Sequence, residues 1–364
     1  MNRSAVAALL FMSVPAFAQD TDDAPPERFS IHGYLTQAFA KTDGRQVLGI
    51  PGNGTTDYRR AALLVRMTPT TKDSLVIQVA HRRLGLSPVT ATEPDVKVDW
   101  AFYERKVTDS VSIRAGRMPM PTGLHNETRY VGTLLPFYRA PYNFYQEGTF
   151  TSETLDGASL RYATTNSEWG FETSVYAGGF AMAELSADKI NRPRAEKALG
   201  GQMWLTPPVS GLKIGFGAQR FDLRGTVLVA DGQDAWWSVY PSIEYTKSRV
   251  TLRSELKHSN LRDVHAKYDT HYFYGGVSVT SRLSVHGQFD TATLKLAAAP
   301  GVNLDLNKYY QDWTGGATFS VRPDVVLKGE YHWVKTRLLE NPSTPITATP
   351  SSVKYAILSM SVSF

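Results

Sequence analysis

The chain has 364 residues, 42% apolar and 20% charged, with 16 Phe, 7 Trp, 18 Tyr, a formal net charge of +5 and no cysteine. The missing cysteines exclude disulfide scaffolds, thiolate metal sites and cysteine nucleophiles. A mean hydropathy of −0.26, with no apolar run of about 18 to 20 residues beyond the amino terminus, excludes a helical membrane bundle. It leaves room for a membrane barrel, whose lipid-facing residues are diluted by alternation with polar ones.

Residues 1–18 read as a secretory signal peptide: Asn2 and Arg3 form a basic start, Ala5 to Met12 an apolar core, and Ala16-Phe17-Ala18 a small-x-small cleavage signal before Gln19. Its removal takes away Arg3 and no acid, lowering the formal charge from +5 to +4. Residues 19–27 form a short leading segment, expected on the periplasmic side.

From Arg28 to Phe364 the pattern has period 2, interrupted by turn clusters. It predicts sixteen strands, at 28–41, 57–69, 74–84, 95–107, 110–118, 155–164, 168–180, 196–207, 211–222, 234–246, 248–260, 267–279, 282–291, 307–320, 324–336 and 351–364. Short connections, such as 70–73, 108–109, 208–210 and 280–281, alternate with long ones, such as 42–56, 119–154, 181–195 and 292–306. That phase, an even strand count and strands near the roughly 9 to 11 residues needed for a tilted crossing point to a closed transmembrane antiparallel β-barrel. Closure leaves no sheet edge bare in lipid.

One face of each strand is apolar. Leu63, Val65 and Met67 alternate with Ala62, Leu64 and Arg66, and Val325, Leu327 and Tyr331 with Lys328, Glu330 and His332. The opposite face is too charged for the dry core of a small barrel and is expected to line water. Trp169, Tyr245, Phe319 and Phe364 fall near the predicted periplasmic rim, and Trp237, Phe289, Tyr309 and Trp333 near the outer rim, as two aromatic girdles would.

Residues 119–154 form the longest segment without a strand pattern, and such a stretch inside a compact domain is usually functional. Leu134, Leu135, Phe137, Tyr138, Tyr142, Phe144 and Tyr145 make it too apolar for a solvated external loop. It is expected to fold inward and narrow the lumen, with Glu127, Arg129, Arg139 and Glu147 as its charged groups. Strand parity turns Arg60, Arg66, Arg82, Lys97, Arg105, Arg114 and Arg161 inward as a basic wall. The acids predicted to face inward lie mostly elsewhere, at Glu172, Glu244, Glu255, Asp290, Asp312 and Glu330. Opposed charges of this kind set up a transverse field across a pore.

The final strand alternates Ala356, Leu358, Met360, Val362 and Phe364 with Tyr355, Ile357, Ser359, Ser361 and Ser363, and it resembles the carboxy-terminal assembly signal of Gram-negative outer-membrane proteins. Together with a long third loop after strand five, it makes the chain similar to the general porins of Gram-negative bacteria. The stretch Val111 to Pro121 with Arg114, Gly116 and Arg117, continuing through Tyr130, Gly132, Pro136, Arg139, Pro141 and Tyr145, resembles the arginine-glycine-arginine region of a proteobacterial branch of these porins. Asp156, Gly157, Arg161 and Tyr162 resemble the strand that follows it there. The Pro-Glu-Phe-Gly loop tip of enterobacterial porins is absent. The resemblance implies an outer-membrane location, a homotrimer embedded in outer-membrane lipid, passive diffusion of small hydrophilic solutes and ions, and no cofactor; the basic wall adds a mild preference for anions.

Two rival functions remain at this stage. A substrate-specific channel for a sugar, or for an anionic or aromatic solute, would use the aromatics predicted inside: Tyr34, Tyr103, Tyr176, Trp204, Trp236, Tyr240, Tyr272, Tyr274 and Tyr310. A barrel enzyme would need a site on the wall, and His286 with Asp290, two apart on one face, is the candidate acid-base pair. No Gly-x-Ser-x-Gly or His-Glu-x-x-His setting occurs. Asp20, Asp22, Asp23 and Asp305 lack a full metal-coordination spacing, and dispersed basic residues without a recognition motif give no support for nucleic-acid binding.

Overall fold

The computed structural model describes residues 28–91, 93–146, 153–165, 168–186, 189–226, 233–262, 265–299, 302–338, 340 and 346–364; the signal peptide and leading segment expected over 1–27 lie outside them. Its strands are β1 (Phe29–Thr42), β2 (Thr55–Met67), β3 (Asp73–Leu84), β4 (Lys97–Lys106), β5 (Val111–Pro119), β6 (Thr154–Thr165), β7 (Gly170–Ala181), β8 (Glu184–Ser186), β9 (Lys189–Asn191), β10 (Arg194–Thr206), β11 (Leu212–Arg224), β12 (Gln233–Lys247), β13 (Val250–Leu261), β14 (Ala266–Ser278), β15 (Leu283–Ala299), β16 (Val302–Arg322), β17 (Val325–Leu338) and β18 (Ile346–Ser363). Each pairs antiparallel with its neighbour, β7 pairs with β10, and β1 closes the ring on β18, giving the sixteen-stranded barrel; β8 and β9 form a separate hairpin. At the seam Leu35 stands opposite Val362 and Phe39 opposite Leu358. Gly33 and Phe364 exchange both backbone hydrogen bonds, at 2.9 and 3.0 Å.

Alternation sets the two faces. In β1, Leu35 and Phe39 are exposed on the outside while Tyr34, Thr36, Ala38 and Ala40 are buried inside. The same rule puts Leu63, Ile77, Ile113, Leu160, Met203, Ile214, Phe273, Val285, Trp313 and Leu327 on the outer surface all the way round. Water-soluble monomers rarely expose apolar patches beyond a few hundred Å², so a continuous belt of this kind is a surface for lipid. No helix among the described residues is long and apolar enough to cross a membrane, and the two helices, α1 (Pro88–Ala91) and α2 (Tyr142–Tyr145), are single turns.

Three departures from the sequence expectations have local causes. Of residues 292–306, expected as a loop, 292–299 and 302–306 prolong β15 and β16 because period 2 continues past the membrane: Leu294 pairs with Leu306 and Leu296 with Leu304. In β4, Gln78 pairs with Trp100 and Val79 with Val98, so Asp99 is an extra residue that shifts the phase. Below this bulge Phe102 and Glu104 face inward, and Tyr103 and Arg105, expected inside, face outward. Tyr309, expected in the outer girdle, is buried against Tyr268 with ring centroids 6.1 Å apart.

Candidate functional site

From Met120 to Gln146 the chain leaves the wall and runs into the lumen. Pro121, Pro136 and Pro141 deny it ladder hydrogen bonds, and the one helical turn among its described residues, α2, ends at Gln146 in the left-handed region, φ 44°. A buried loop backbone must find partners for its N–H and C=O groups, and here the wall supplies them. Glu255 of β13 accepts the Leu124 N–H at 2.9 Å and the hydroxyls of Tyr145, Tyr272 and Ser242 at 2.6, 2.7 and 2.7 Å. Asp290 of β15 accepts the backbone and side-chain N–H groups of Asn143 at 3.1 and 3.0 Å, and Glu330 of β17 accepts the Tyr138 N–H at 2.7 Å.

Cations complete the clamp from the other side of the peptide. Lys257 donates to the Phe144 carbonyl at 2.8 Å, Lys328 to Phe137 at 3.0 Å, and Arg60 to Tyr138 at 2.7 Å. Strands β13 and β17 thus each present an acid and a lysine at two-residue spacing, on the face that strand parity turns inward. Gly123 fits this contact because its φ is +65° and a Cβ there would lie 2.5 Å from the Tyr145 hydroxyl.

The expected acidic counter-wall is therefore reassigned in part: Glu255, Asp290 and Glu330 hold the loop and do not face open water. Asp312 pairs with His332 at 2.8 Å. Glu172 and Glu244 remain partly open nearer the periplasmic end, beside Lys213 and Arg253 respectively. His286 contacts Tyr274 and Thr318, while Asp290 contacts Asn143, so the two do not form the acid-base pair the spacing allowed.

On the opposite side, Arg60, Arg82, Lys97 and Arg114 do converge on the loop, and each of the last three is matched by carboxylates. Arg82 bonds Glu153 at 2.8 Å and lies 3.6 Å from Glu93; Lys97 reaches Glu93 at 3.3 Å; Arg114 reaches Glu104 at 3.2 Å and Glu127 at 3.5 Å. Arg129 of the loop bonds the Tyr145 carbonyl at 2.7 Å and approaches Glu153 at 3.8 Å. Arg139 donates to the Tyr58 hydroxyl. Burial alone would raise the Glu153 pKa, but Arg82, Arg129 and Lys97 hold its carboxyl well below the usual range. Burial, assisted by Arg253, pushes loop His125 well below its ordinary value and keeps the ring neutral.

Arg66 and Arg161 face the lumen on the periplasmic side of this cluster, half-buried. Arg105 does not belong to it: its side chain is 56% exposed on the outer surface, paired with Asp73 at 2.9 Å. Glu147 lies outside the described residues. Lys257, Glu93 and Glu153 were not among the residues expected to act here, and Lys328 was expected only to face inward. The Glu-x-Lys at 255–257 and Lys-x-Glu at 328–330 were a legible signal, since residues two apart share a strand face.

Two cavities flank the loop and share Asn126 and Arg129. One, about 20 Å³, is lined also by Phe144, Phe180, Phe221, Trp236 and Lys257. The other, about 10 Å³, is lined by Tyr34, Gln78, Asp99, Trp100, Tyr130 and Glu153. Among the described residues no group of acids and histidines is arranged to hold a metal ion.

No family model and no curated protein matches this chain. Solved structures do match it. They include OmpF of Salmonella typhi in complex with daunomycin (TM-score 0.61, 12% identity, 92% of this chain and 97% of that one). The anion-selective porin from Comamonas acidovorans is similar (0.58, 13%, 92% and 99%), as is OmpT of Vibrio cholerae in a trimer form (0.58, 10%, 92% and 99%). At these identities the likeness is one of fold: the chain has the closed sixteen-stranded architecture of outer-membrane porins.

Proposed function

We propose that this protein is an outer-membrane porin, a channel through which small hydrophilic solutes and ions diffuse passively, with a mild preference for anions. The observation that carries the reading is the inversion of a soluble protein's surfaces. The outer belt is apolar, from Leu35 round to Trp313, whereas the interior holds Arg60, Arg82, Arg114, Glu104 and Glu255. The charged interior needs water or ion-pair partners, and the loop, over its described residues 120–146, is held against the inside of the wall, which narrows the lumen. Size is then sieved by the loop and sign by the lining. Matched pairs such as Arg114 with Glu104 keep the net bias small, and Arg66, with no ion pair among the described residues, tips it toward anions. A homotrimer in outer-membrane lipid is the assembly proposed, supported by the trimer form of OmpT, which shares the fold.

The test is planar-bilayer recording on the purified protein in a salt gradient. Ohmic conductance with a reversal potential of anionic sign is expected; a clear cation preference would overturn the selectivity, and absence of conductance the channel itself. Native electrophoresis before and after heating reads the trimer.

A second reading, a channel specific for one solute class, is favoured by the buried aromatic cluster beside the loop, in which Phe180 meets Phe221 edge-on at 5.0 Å and Phe221 stacks on Trp236 at 5.5 Å between centroids. Saturable block of conductance by a solute supports it; linear permeation supports the general pore.

A further inference from the structure

Lys257 and Lys328 are both buried lysines that donate to a loop carbonyl, but only Lys257 also faces a cavity. Its side chain is buried, its ammonium donates to the Phe144 carbonyl at 2.8 Å and lies 5.0 Å from the Phe144 ring centroid, and among the described residues it forms no ion pair. The carboxylate two residues away, Glu255, is already occupied by the Leu124 N–H and the hydroxyls of Tyr145, Tyr272 and Ser242. Glu153 is held by Arg82 at 2.8 Å. Burying a charge without a counter-charge is costly, and an anion brought beside it recovers part of that cost.

The cavity that Lys257 faces is built for such an anion. Arg129 faces it too, its guanidinium fixed by Asn126 Oδ1 at 2.8 Å and the Tyr145 carbonyl at 2.7 Å, with the Glu153 carboxylate 3.8 Å away and shared with Arg82. Across from them stand Phe180, Phe221 and Trp236, the last two stacked with their planes 17° apart. The Trp236 N–H is engaged by Ser238 Oγ at 2.7 Å, so this side offers ring carbon. The volume is about 20 Å³, room for one water or one small ion.

We propose that this cavity is a station on the permeation path for small, weakly hydrated monovalent anions such as iodide, nitrate or thiocyanate. The two cations attract any anion, but the aromatic side cannot replace lost hydration. A strongly hydrated anion such as fluoride therefore gives up more on entry than a weakly hydrated one. The inference rests on the channel reading but extends it: conductance as such tests the channel, and the order of anions tests the station.

The experiment is bi-ionic recording on the purified full chain in a bilayer, with iodide, nitrate and fluoride each set against chloride. Iodide and nitrate are expected to exceed the permeability ratios set by bulk mobility by roughly threefold, and iodide-chloride mixtures to show a conductance minimum. Lys257→Gln returns the ratios to bulk mobility. Lys328→Gln loses the same kind of lysine bond to a loop carbonyl, at 3.0 Å to Phe137, and is expected to keep the anion order even where loop stability falls. Ratios that follow bulk mobility in the unmodified channel overturn the station, as does a Lys257→Gln channel that keeps the order, or a Lys328→Gln channel that loses it equally. If the barrel passes no current, the channel reading fails and the station is read by iodide quenching of the folded protein in detergent. A saturable component that disappears in Trp236→Phe supports it, and purely linear quenching overturns it.

Discussion

Glu255 and Lys257 stand two residues apart on one strand and grip the same loop with opposite chemistry: the carboxylate takes the Leu124 N–H at 2.9 Å and the ammonium gives to the Phe144 carbonyl at 2.8 Å. Lys328 and Glu330 repeat the device on β17 with Phe137 and Tyr138. The loop is thereby fixed by its backbone as well as by side chains such as Tyr145 and Asn143.

Replacing Glu255 by Leu should be the most damaging single change in the lumen. It leaves the Leu124 N–H and three hydroxyls buried without their acceptor, a loss of about 3–5 kcal/mol. Glu255→Gln, which keeps one acceptor oxygen, is expected to be milder. Heat-modifiability on electrophoresis should show a lowered midpoint in that order, and single-channel traces should become noisier as the loop loosens.

Acidification should spare the Glu153 contact. Its native carboxyl titrates below the unfolded value because Arg82, Arg129 and Lys97 outweigh its burial. Its contribution is therefore complete above the unfolded carboxylate pKa of about 4.3 and is lost only as pH falls through the lower native value. Lowering pH from neutral to about 5 should leave this latch intact, whereas Glu153→Gln should lower the unfolding midpoint at neutral pH. A wild-type midpoint that drops to the variant's on going from neutral pH to about 5 would refute the assignment.

Arg105 and Arg114 separate the two faces of the barrel. Arg105→Gln removes an exposed, solvent-screened pair with Asp73 and should leave the reversal potential unchanged. Arg114→Gln leaves Glu104 and Glu127 facing the lumen without their partner and should shift the potential toward cation passage. Equal shifts from both variants would falsify the face assignment of β4.

Gly123→Val should displace the loop, because φ is +65° and the new Cβ meets the Tyr145 hydroxyl at 2.5 Å and Glu255 Oε1 at 2.6 Å. Higher conductance with more frequent sublevels is the expected reading. Gly44→Ala, with nothing within 4 Å of its Cβ, should be indistinguishable from wild type.

Most of the barrel was legible because strand alternation is a local property. Leu63 and Arg60 declare their faces within one strand, and the final Phe364 falls where closure with Gly33 requires it. Legibility failed where geometry depends on a neighbouring strand. Asp99 looks like any strand residue, and only its lack of a partner on β3 reveals the bulge that turned Arg105 and Tyr103 outward. The loop's inward course could be read from Phe137, Tyr138 and Phe144. Which wall groups meet it could not, since Glu255 and Asp290 lie 131 and 147 residues along the chain from their loop partners Leu124 and Asn143.

Because the loop is tied to β2, β13, β15 and β17, it acts as a strut across the ring. Closed sheets without internal bracing can flatten toward an ellipse at little energetic cost, since strand-to-strand hydrogen bonds survive the distortion. Tie points on β2, β3, β5, β13, β15 and β17 oppose that deformation. The cross-section of the barrel and the position of the loop are consequently one mechanical property: displacing the loop must also bend the wall that holds it.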